Sequence, residues 1–421
     1  MRRYRALLGV PGARVLLGTS ILARLGLGIT SLALVLLVAE ATGRYAPAAV
    51  ASALYALAGA AGSPVAGRLA DRFGPSPVLR VLGVAHPLAL VALLLAVRSG
   101  QVGLIWVTSA VAGATFPPIT ASVRGVWNAL TAPGSGRHDL HNTAMAAEAS
   151  LVEVVFTAGP ALVAVFVAFG SPATAILASA VFTLAGTPFV AGSSVMRARV
   201  PHPGHTGTRG LGPLRVPGFL PLLACVAGLG LAFGVAGVAV PAYASEHVTG
   251  RPASAAGVLL AVWGVGSTIG GIWFGTRHPS RAAHRLLAWL TAGVAASYAV
   301  LPLMPDVVWL GVALFVGGVT IAPALTVQNT LTGRITPVTM HTEAYTWVIT
   351  TAVSGSAAGA ALTGILVDHG ALSWSFVLAA ATVGIGALVA AWPSGPLAQA
   401  DAAAGSAVPV DTVPATPPVA P

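Results

Sequence analysis

Apolar residues along this chain gather into twelve runs, separated by short knots of arginine, glycine, proline and acid. The runs begin near Val15, Pro47, Val78, Val102, Thr143, Pro172, Gly218, Ala253, His284, Asp306, Thr342 and Leu372. At ~1.5 Å of helical rise per residue, about twenty such residues cross a hydrocarbon core of about 30 Å. The period-two alternation of barrel strands is absent. The pattern predicts an all-α membrane protein with twelve transmembrane helices.

Composition agrees with that pattern. The chain is 56% hydrophobic and only 8% charged, with a mean hydropathy of +0.86, too little polar surface to cover a soluble globule of 421 residues. All 21 basic residues are arginine. On the twelve-span reading, seventeen lie on one side: Arg2, Arg3, Arg5, Arg14, Arg68, Arg72, Arg80, Arg124, Arg137, Arg197, Arg199, Arg209, Arg215, Arg277, Arg281, Arg285 and Arg334. Arg44, Arg98 and Arg251 lie on the other, and Arg24 falls within a span. The positive-inside bias therefore predicts cytoplasmic termini. The basic pI near 11.1 follows from this topology, and no polar domain is long enough to gather the arginines into a nucleic-acid surface. The exclusive use of arginine, with many alanines, glycines and prolines, suggests a high-GC bacterial genome and hence a plasma-membrane location.

Several chemistries lack a motif. Cys225 is the only cysteine, which excludes an internal disulfide and a thiolate cluster; it is expected to be a small packing residue in the seventh span. No Walker loop, His-Glu-x-x-His or serine elbow occurs, so no ATP-driven step, hydrolysis or other enzyme activity is indicated. No cofactor is expected, and the energy source would be an ion gradient, with the proton as first candidate. Met1-Arg2-Arg3-Tyr4-Arg5 leads into the first span without a small-residue cleavage site, so that span reads as an uncleaved helix.

The chain divides into an N-terminal segment 1–14, a six-helix bundle 15–196, a linker 197–217, a second six-helix bundle 218–393 and a tail 394–421. The linker carries four arginines and two histidines among glycines and prolines. The tail is rich in Ala, Pro, Ser and Val, and is expected to be disordered and cytoplasmic. Gly113-Ala114-Thr115-Phe116-Pro117-Pro118 in the fourth span answers Gly318-Val319-Thr320-Ile321-Ala322-Pro323 in the tenth. Ala147-Glu148-Ala149 likewise answers Thr342-Glu343-Ala344. Two repeated halves with a site between them near the midplane are how many secondary transporters are built.

Between the second and third spans runs Gly67-Arg68-Leu69-Ala70-Asp71-Arg72-Phe73-Gly74. This octapeptide resembles the signature loop of the major facilitator superfamily, where a glycine, three residues, an acid, a base, one residue and a second glycine join helices 2 and 3. Pro75 and Ser76 stand where the family often has two more basic residues. The resemblance implies two pseudo-symmetric six-helix bundles, a small-molecule substrate, alternating access and a monomer. Phe156-Thr157-Ala158-Gly159-Pro160 partly matches the Gly-Pro helix 5 motif of the drug-proton antiporter branch, which makes Gly159 and Pro160 a candidate hinge. Val155 replaces that motif's upstream glycine.

Arg24 lies deep in the first span and should face the bundle interior and find an anion, because a central arginine costs roughly 2.5 to 3.5 kcal/mol in lipid. Glu153, at similar depth in the fifth span, is the nominated partner, since the resemblance makes helices 1 and 5 neighbours. Three roles stay open: a fixed salt bridge, an anionic-substrate site on Arg24 oriented by Glu153, or a proton site on Glu153 for which Arg24 and substrate compete. Glu148 and Glu343 start their spans at the cytoplasmic face. In the resembled architecture Glu343 would meet Arg68 or Arg72, and Glu148 would meet Arg277 or Arg281, forming a gate closed when the protein opens outward. The alternative is that each acid only complements its helix N-terminus. Asp71 would cap the third helix or steady the contact between halves. Tyr55, Trp263, Gln328, Asn329 and Trp347 are candidates to line a cavity, although packing is the commoner role of a membrane-helix aromatic. His86, before Pro87, is expected to satisfy a carbonyl freed at the proline.

These residues point to a proton-coupled exporter of small organic molecules. The alternatives are an importer or exchanger of an anionic metabolite held by Arg24, and a sensor or scaffold on a transporter fold.

Overall fold

The computed structural model describes residues 2–10, 12–131, 135–137, 140–197, 212–275, 282–337 and 340–406. Among these residues all regular structure is helical. The first half comprises α1 (Arg2–Leu8), α2 (Ala13–Thr42), α3 (Tyr45–Phe73), α4 (Pro75–Arg98), α5 (Val102–Ala114), α6 (Ile119–Leu130), α7 (His141–Phe169), α8 (Pro172–Gly192) and the single turn α9 (Ser194–Arg197). The second half comprises α10 (Phe219–His247), α11 (Pro252–Gly275), α12 (Ala283–Val300), α13 (Val307–Gly318), α14 (Ile321–Ile335), α15 (His341–Asp368), α16 (Leu372–Ala391) and α17 (Pro396–Ser406). Inside lipid every backbone polar group must be satisfied within the chain, and long helices do so locally.

Among the described residues eleven segments are long and apolar enough to cross a membrane, and α7 adds the shorter apolar stretch Val154–Phe169. The twelve expected starts fall within three residues of the observed ones. Two crossings are broken at matching places. α5 gives way to α6 at Pro117 and Pro118, which have no N–H to continue the ladder, and α13 gives way to α14 after Gly317 and Gly318. With twelve crossings among the described residues the first and last described helices, α1 and α17, lie at one face, here called the terminal face, opposite a far face.

Hydrophobic packing differs between the two faces. One cluster joins both halves toward the far face, taking in Ile29–Val38, Ala48–Tyr55 and much of Leu229–Ala244. Toward the terminal face the core separates. Leu7, Leu16, Trp127 and Met196 form a cluster of the first half alone, while Leu222, Leu287 and Leu331, and Phe219, Val226 and Val348, form clusters of the second half alone. Among the described residues the buried clusters thus join the halves toward the far face and stay within one half toward the terminal face.

Two expectations are corrected. The Gly67–Gly74 segment is not a loop: Gly67–Phe73 are the last turns of α3, and the reversal takes place at Gly74 alone. Its φ of 87° is open to glycine, and Pro75 then starts α4. Gly74, not Asp71, therefore occupies the cap of α4; the side chains of Arg68 and Asp71 lie outside the described residues. Nor is the tail wholly disordered. Residues 396–406 form α17, whose Leu397 and Asp401 are buried. Asp401 accepts hydrogen bonds from the His284 backbone N–H (3.0 Å) and from His284 Nδ1 (2.9 Å), and its Oδ1 pairs with Arg334 Nη1 at 3.1 Å. Alanine's high helix propensity supports the turns that carry these anchors. Residues 407–421 lie outside the description.

Candidate functional site

A charged pair is buried in the first half. Arg24 Nη2 donates to Glu148 Oε1, and the two residues are 2% and 0% exposed. By helical rise, Arg24 lies ~16 Å along α2 and Glu148 ~10 Å along α7 from their terminal-face ends. Gly28 and Gly159 fix this register. A Cβ on Gly28 would meet the Val155 carbonyl, and one on Gly159 would meet the Gly28 backbone, so α2 and α7 touch main chain to main chain. Glu148, Val155 and Gly159 are spaced i, i+7, i+11 and share one helical stripe, while Arg24 is one turn below Gly28.

Both expectations for these acids change. The partner of Arg24 is Glu148, which is buried with it; Arg277 and Arg281, the expected gate partners of Glu148, lie outside the described residues. Position 153 falls ~200° round α7 from Val155, away from the glycine crossing. The Glu153 side chain lies outside the described residues.

The pair is incompletely satisfied. Among the described residues, Arg24 Nε and Nη1 and Glu148 Oε2 are buried without a hydrogen-bond partner. Arg124, exposed on α6, is near enough for Arg24 to feel its charge. The arrangement can pass a proton to or from Glu148, or offer the free edge of the guanidinium to an acceptor. Breaking one partner of such a pair costs about 3 to 5 kcal/mol.

The seam between the halves is built at midplane and far face. The Thr157 and Thr268 hydroxyls are 3.2 Å apart, and Ser254 Oγ donates to the Ala164 carbonyl at 3.1 Å. Gly257 lies against the Pro160 carbonyl and Ala164, so Gly159 and Pro160 are contact points in a continuous α7. At the far face Asp368, the last residue of α15, accepts from the Tyr45 N–H (2.7 Å), the Ala46 N–H (3.2 Å) and Arg44 Nε (3.2 Å). An acid of one half thereby caps the first turn of α3 in the other, where the helix dipole favours it. The sequence carried no spacing that announces this capping.

At the terminal face Glu343 and Arg72 form no ion pair among the described residues. Glu343 is half-buried beside Gly212, and Arg72 is exposed with its guanidinium 5.1 Å from the Phe73 ring. Of the expected cavity residues, Tyr55 is buried inside the first half, because Gly113 lets α5 close onto its backbone and His86 lies beside it. Gln328 is buried, Asn329 is exposed, Trp263 packs beside Phe233, and Trp347 is half-buried against the Phe219 cluster. His86 Nδ1 lies 2.8 Å from the Ala112 carbonyl, so it serves the broken end of α5 instead of the Pro87 kink in its own helix. Cys225 packs in α10 and donates to the Gly386 carbonyl at 3.2 Å.

A family model described as Major Facilitator Superfamily matches residues 16–310. The chain belongs to the major facilitator superfamily. Comparison with curated proteins finds no match. Among solved structures, the facilitator is similar to the POT family transporter PepTSo, with a TM-score of 0.72 at 11% identity, covering 94% of this chain and 98% of that one. It is similar to the nucleoside transporter NupG, with a TM-score of 0.68 at 12% identity over 89% of this chain and 98% of that one. It also resembles a peptide transporter POT solved in complex with sulfate, with a TM-score of 0.69 at 14% identity, covering 92% and 94%. At these identities the likeness is one of fold. Family membership makes this chain a multi-pass membrane transporter of small molecules and not an enzyme.

Proposed function

We propose that this facilitator is a proton-coupled secondary transporter of small organic molecules, with Arg24 and Glu148 as its coupling centre. The observation that carries the reading is a buried ion pair whose carboxylate and guanidinium both keep unpartnered atoms. A shift of α7 against α2 within the first half, as its contacts with the second half are made and broken, would alter the distance across the pair and with it the pull of Arg24 on the Glu148 carboxylate. The positive-inside bias makes the terminal face cytoplasmic, so the conformation described above would be the inward-open one. Export is the direction assigned, on the Gly159-Pro160 resemblance. A plasma-membrane monomer that uses the proton gradient completes the reading.

The test uses proteoliposomes preloaded with a lipophilic cationic dye. Glu148→Gln is expected to abolish dye movement driven by a pH gradient while leaving gradient-free dye exchange within a few-fold of wild type. Retained pH-driven movement would remove Glu148 from coupling. A second reading, anionic cargo on Arg24, is favoured by the guanidinium's two free nitrogens and the nearby Arg124. Stabilisation by small carboxylates that vanishes in Arg24→Ala would replace the first reading with the second.

A further inference from the structure

Between α11 and α13 a groove of about 630 Å³ opens on the outer surface of the second half. Both helices begin at the far face and run inward together. The groove descends from Arg251, Val307 and Val308 to Val262 and Phe315, with glycine at 311 leaving room in its floor. From position 251 to position 262 the helical rise is ~16 Å, the depth of one leaflet of a hydrocarbon core of about 30 Å. The halves are fused at this level, so side chains exposed here, such as Val308 at 74%, lie on the perimeter that faces lipid.

One charge stands at the mouth. Arg251 is exposed and makes no ion pair among the described residues. The nearest acid in sequence on the facing helix, Asp306, is occupied: it caps α13, accepting from the Val308 N–H (2.9 Å) and the Trp309 N–H (3.0 Å). Glu40 shares with Arg251 the neighbouring cavity between the halves and is the one acid that competes for it there. An apolar trough one leaflet deep, with a free cation at its interfacial end, fits a single class of bilayer molecule.

We infer that this groove is a binding site for an anionic phospholipid of the far-face leaflet, with the phosphate on Arg251 and one acyl chain between α11 and α13. The site lies outside the Arg24–Glu148 centre, so its failure would leave the proposed coupling untouched. Zwitterionic lipid fills the trough equally well but brings no net charge to the arginine.

The full-length protein, purified in mild detergent and stripped of lipid, is titrated with phosphatidylglycerol or phosphatidylcholine and bound lipid is counted by native mass spectrometry. Wild type is expected to retain phosphatidylglycerol with roughly fivefold preference, the weight of one interfacial arginine on an anionic lipid. Arg251→Gln should bring the two lipids to parity, and Gly311→Leu should reduce retention of both. Parity in wild type, or an unchanged preference in Arg251→Gln, would overturn the site. Glycerol phosphate alone should protect nothing from thermal unfolding; protection equal to that of the whole lipid would also overturn it, since the groove would then have no part. Should Gly311→Leu fail to fold, Arg251→Gln still decides, because it alters one exposed side chain.

Discussion

The two halves of the facilitator solve the same helix crossing in different ways. Counted from the first residue of each helix, Gly28 of α2 matches Gly234 of α10, and Gly159 of α7 matches Gly359 of α15. By the same count Arg24 matches Gly230, Glu148 matches Val348 and Val155 matches Gly355. In the second half Gly230, Gly234, Gly355 and Gly359 all meet backbone across the crossing, and α10 and α15 are close for most of its length. In the first half only Gly28 and Gly159 do so, and the positions that match Gly230 and Val348 carry the charged pair. Half of a duplicated scaffold is a tight backbone contact that can move only as a body. The other half keeps a buried charged pair at that place.

The largest expected effect comes from forcing the charges into the tight half. Gly230→Arg with Val348→Glu should fail to yield folded protein, because any Cβ at 230 already meets the Ala352 backbone. Expression followed by size-exclusion chromatography reads this directly, and a monodisperse double mutant would show that the crossing is looser than described. Next is Glu148→Ala, which leaves Arg24 buried and uncompensated and should cost about 3 to 5 kcal/mol of stability. The reverse graft, Arg24→Gly with Glu148→Val, removes both charges and should recover most of that loss in thermal unfolding while still failing to couple transport. If the double graft is no more stable than Glu148→Ala, the unpaired charge is not what destabilises the single mutant.

Much of this architecture was legible in the sequence, because lipid dictates it. Spans must be long, apolar and helical, so their starts emerge to within a turn, and the demand of Arg24 for an anion follows from its depth. What stayed hidden was register between helices. Depth along one helix made Glu153 the natural partner, whereas the choice of Glu148 depends on which stripe of α7 faces α2. The usable signal was the i, i+7, i+11 spacing of Glu148, Val155 and Gly159, opposite Gly28 and Arg24. Asp368 and Asp401 were missed for a related reason: each acts on an element distant in sequence, one on the start of α3 and the other on His284 and Arg334. Within residues 396–406, one aspartate among alanines gives composition nothing to register.

The comparison extends from the halves to the two ends of their seam. Asp368→Asn keeps an acceptor for the α3 amides but loses the charge that favours the helix terminus and Arg44. It should weaken the far-face closure by about 1 kcal/mol. Crosslinking of Thr157→Cys with Thr268→Cys, whose hydroxyls are 3.2 Å apart in the closed seam, reports that closure. The sole native cysteine, buried Cys225, leaves the background low. Slower crosslinking in Asp368→Asn is expected, and an unchanged rate would relieve Asp368 of its role as a latch.

The smallest effect belongs to the terminal face, where Glu343 and Arg72 form no ion pair among the described residues. If they meet when that face closes, their attraction is felt only in the other state, and an exposed pair is worth about 0.2 to 1 kcal/mol. Glu343→Arg or Arg72→Glu alone should therefore enlarge the far-closed population and speed the same crosslink by at most about fivefold. The exchanged pair, Glu343→Arg with Arg72→Glu, should return the rate to that of wild type, since the attraction is restored with its polarity reversed. A double mutant equal to the sum of the singles has no coupling between the residues, and the two would then be independent surface charges. This arm separates a gate from helix-end complementation: an acid that serves only the N-terminus of α15 loses the same stability whatever stands at position 72.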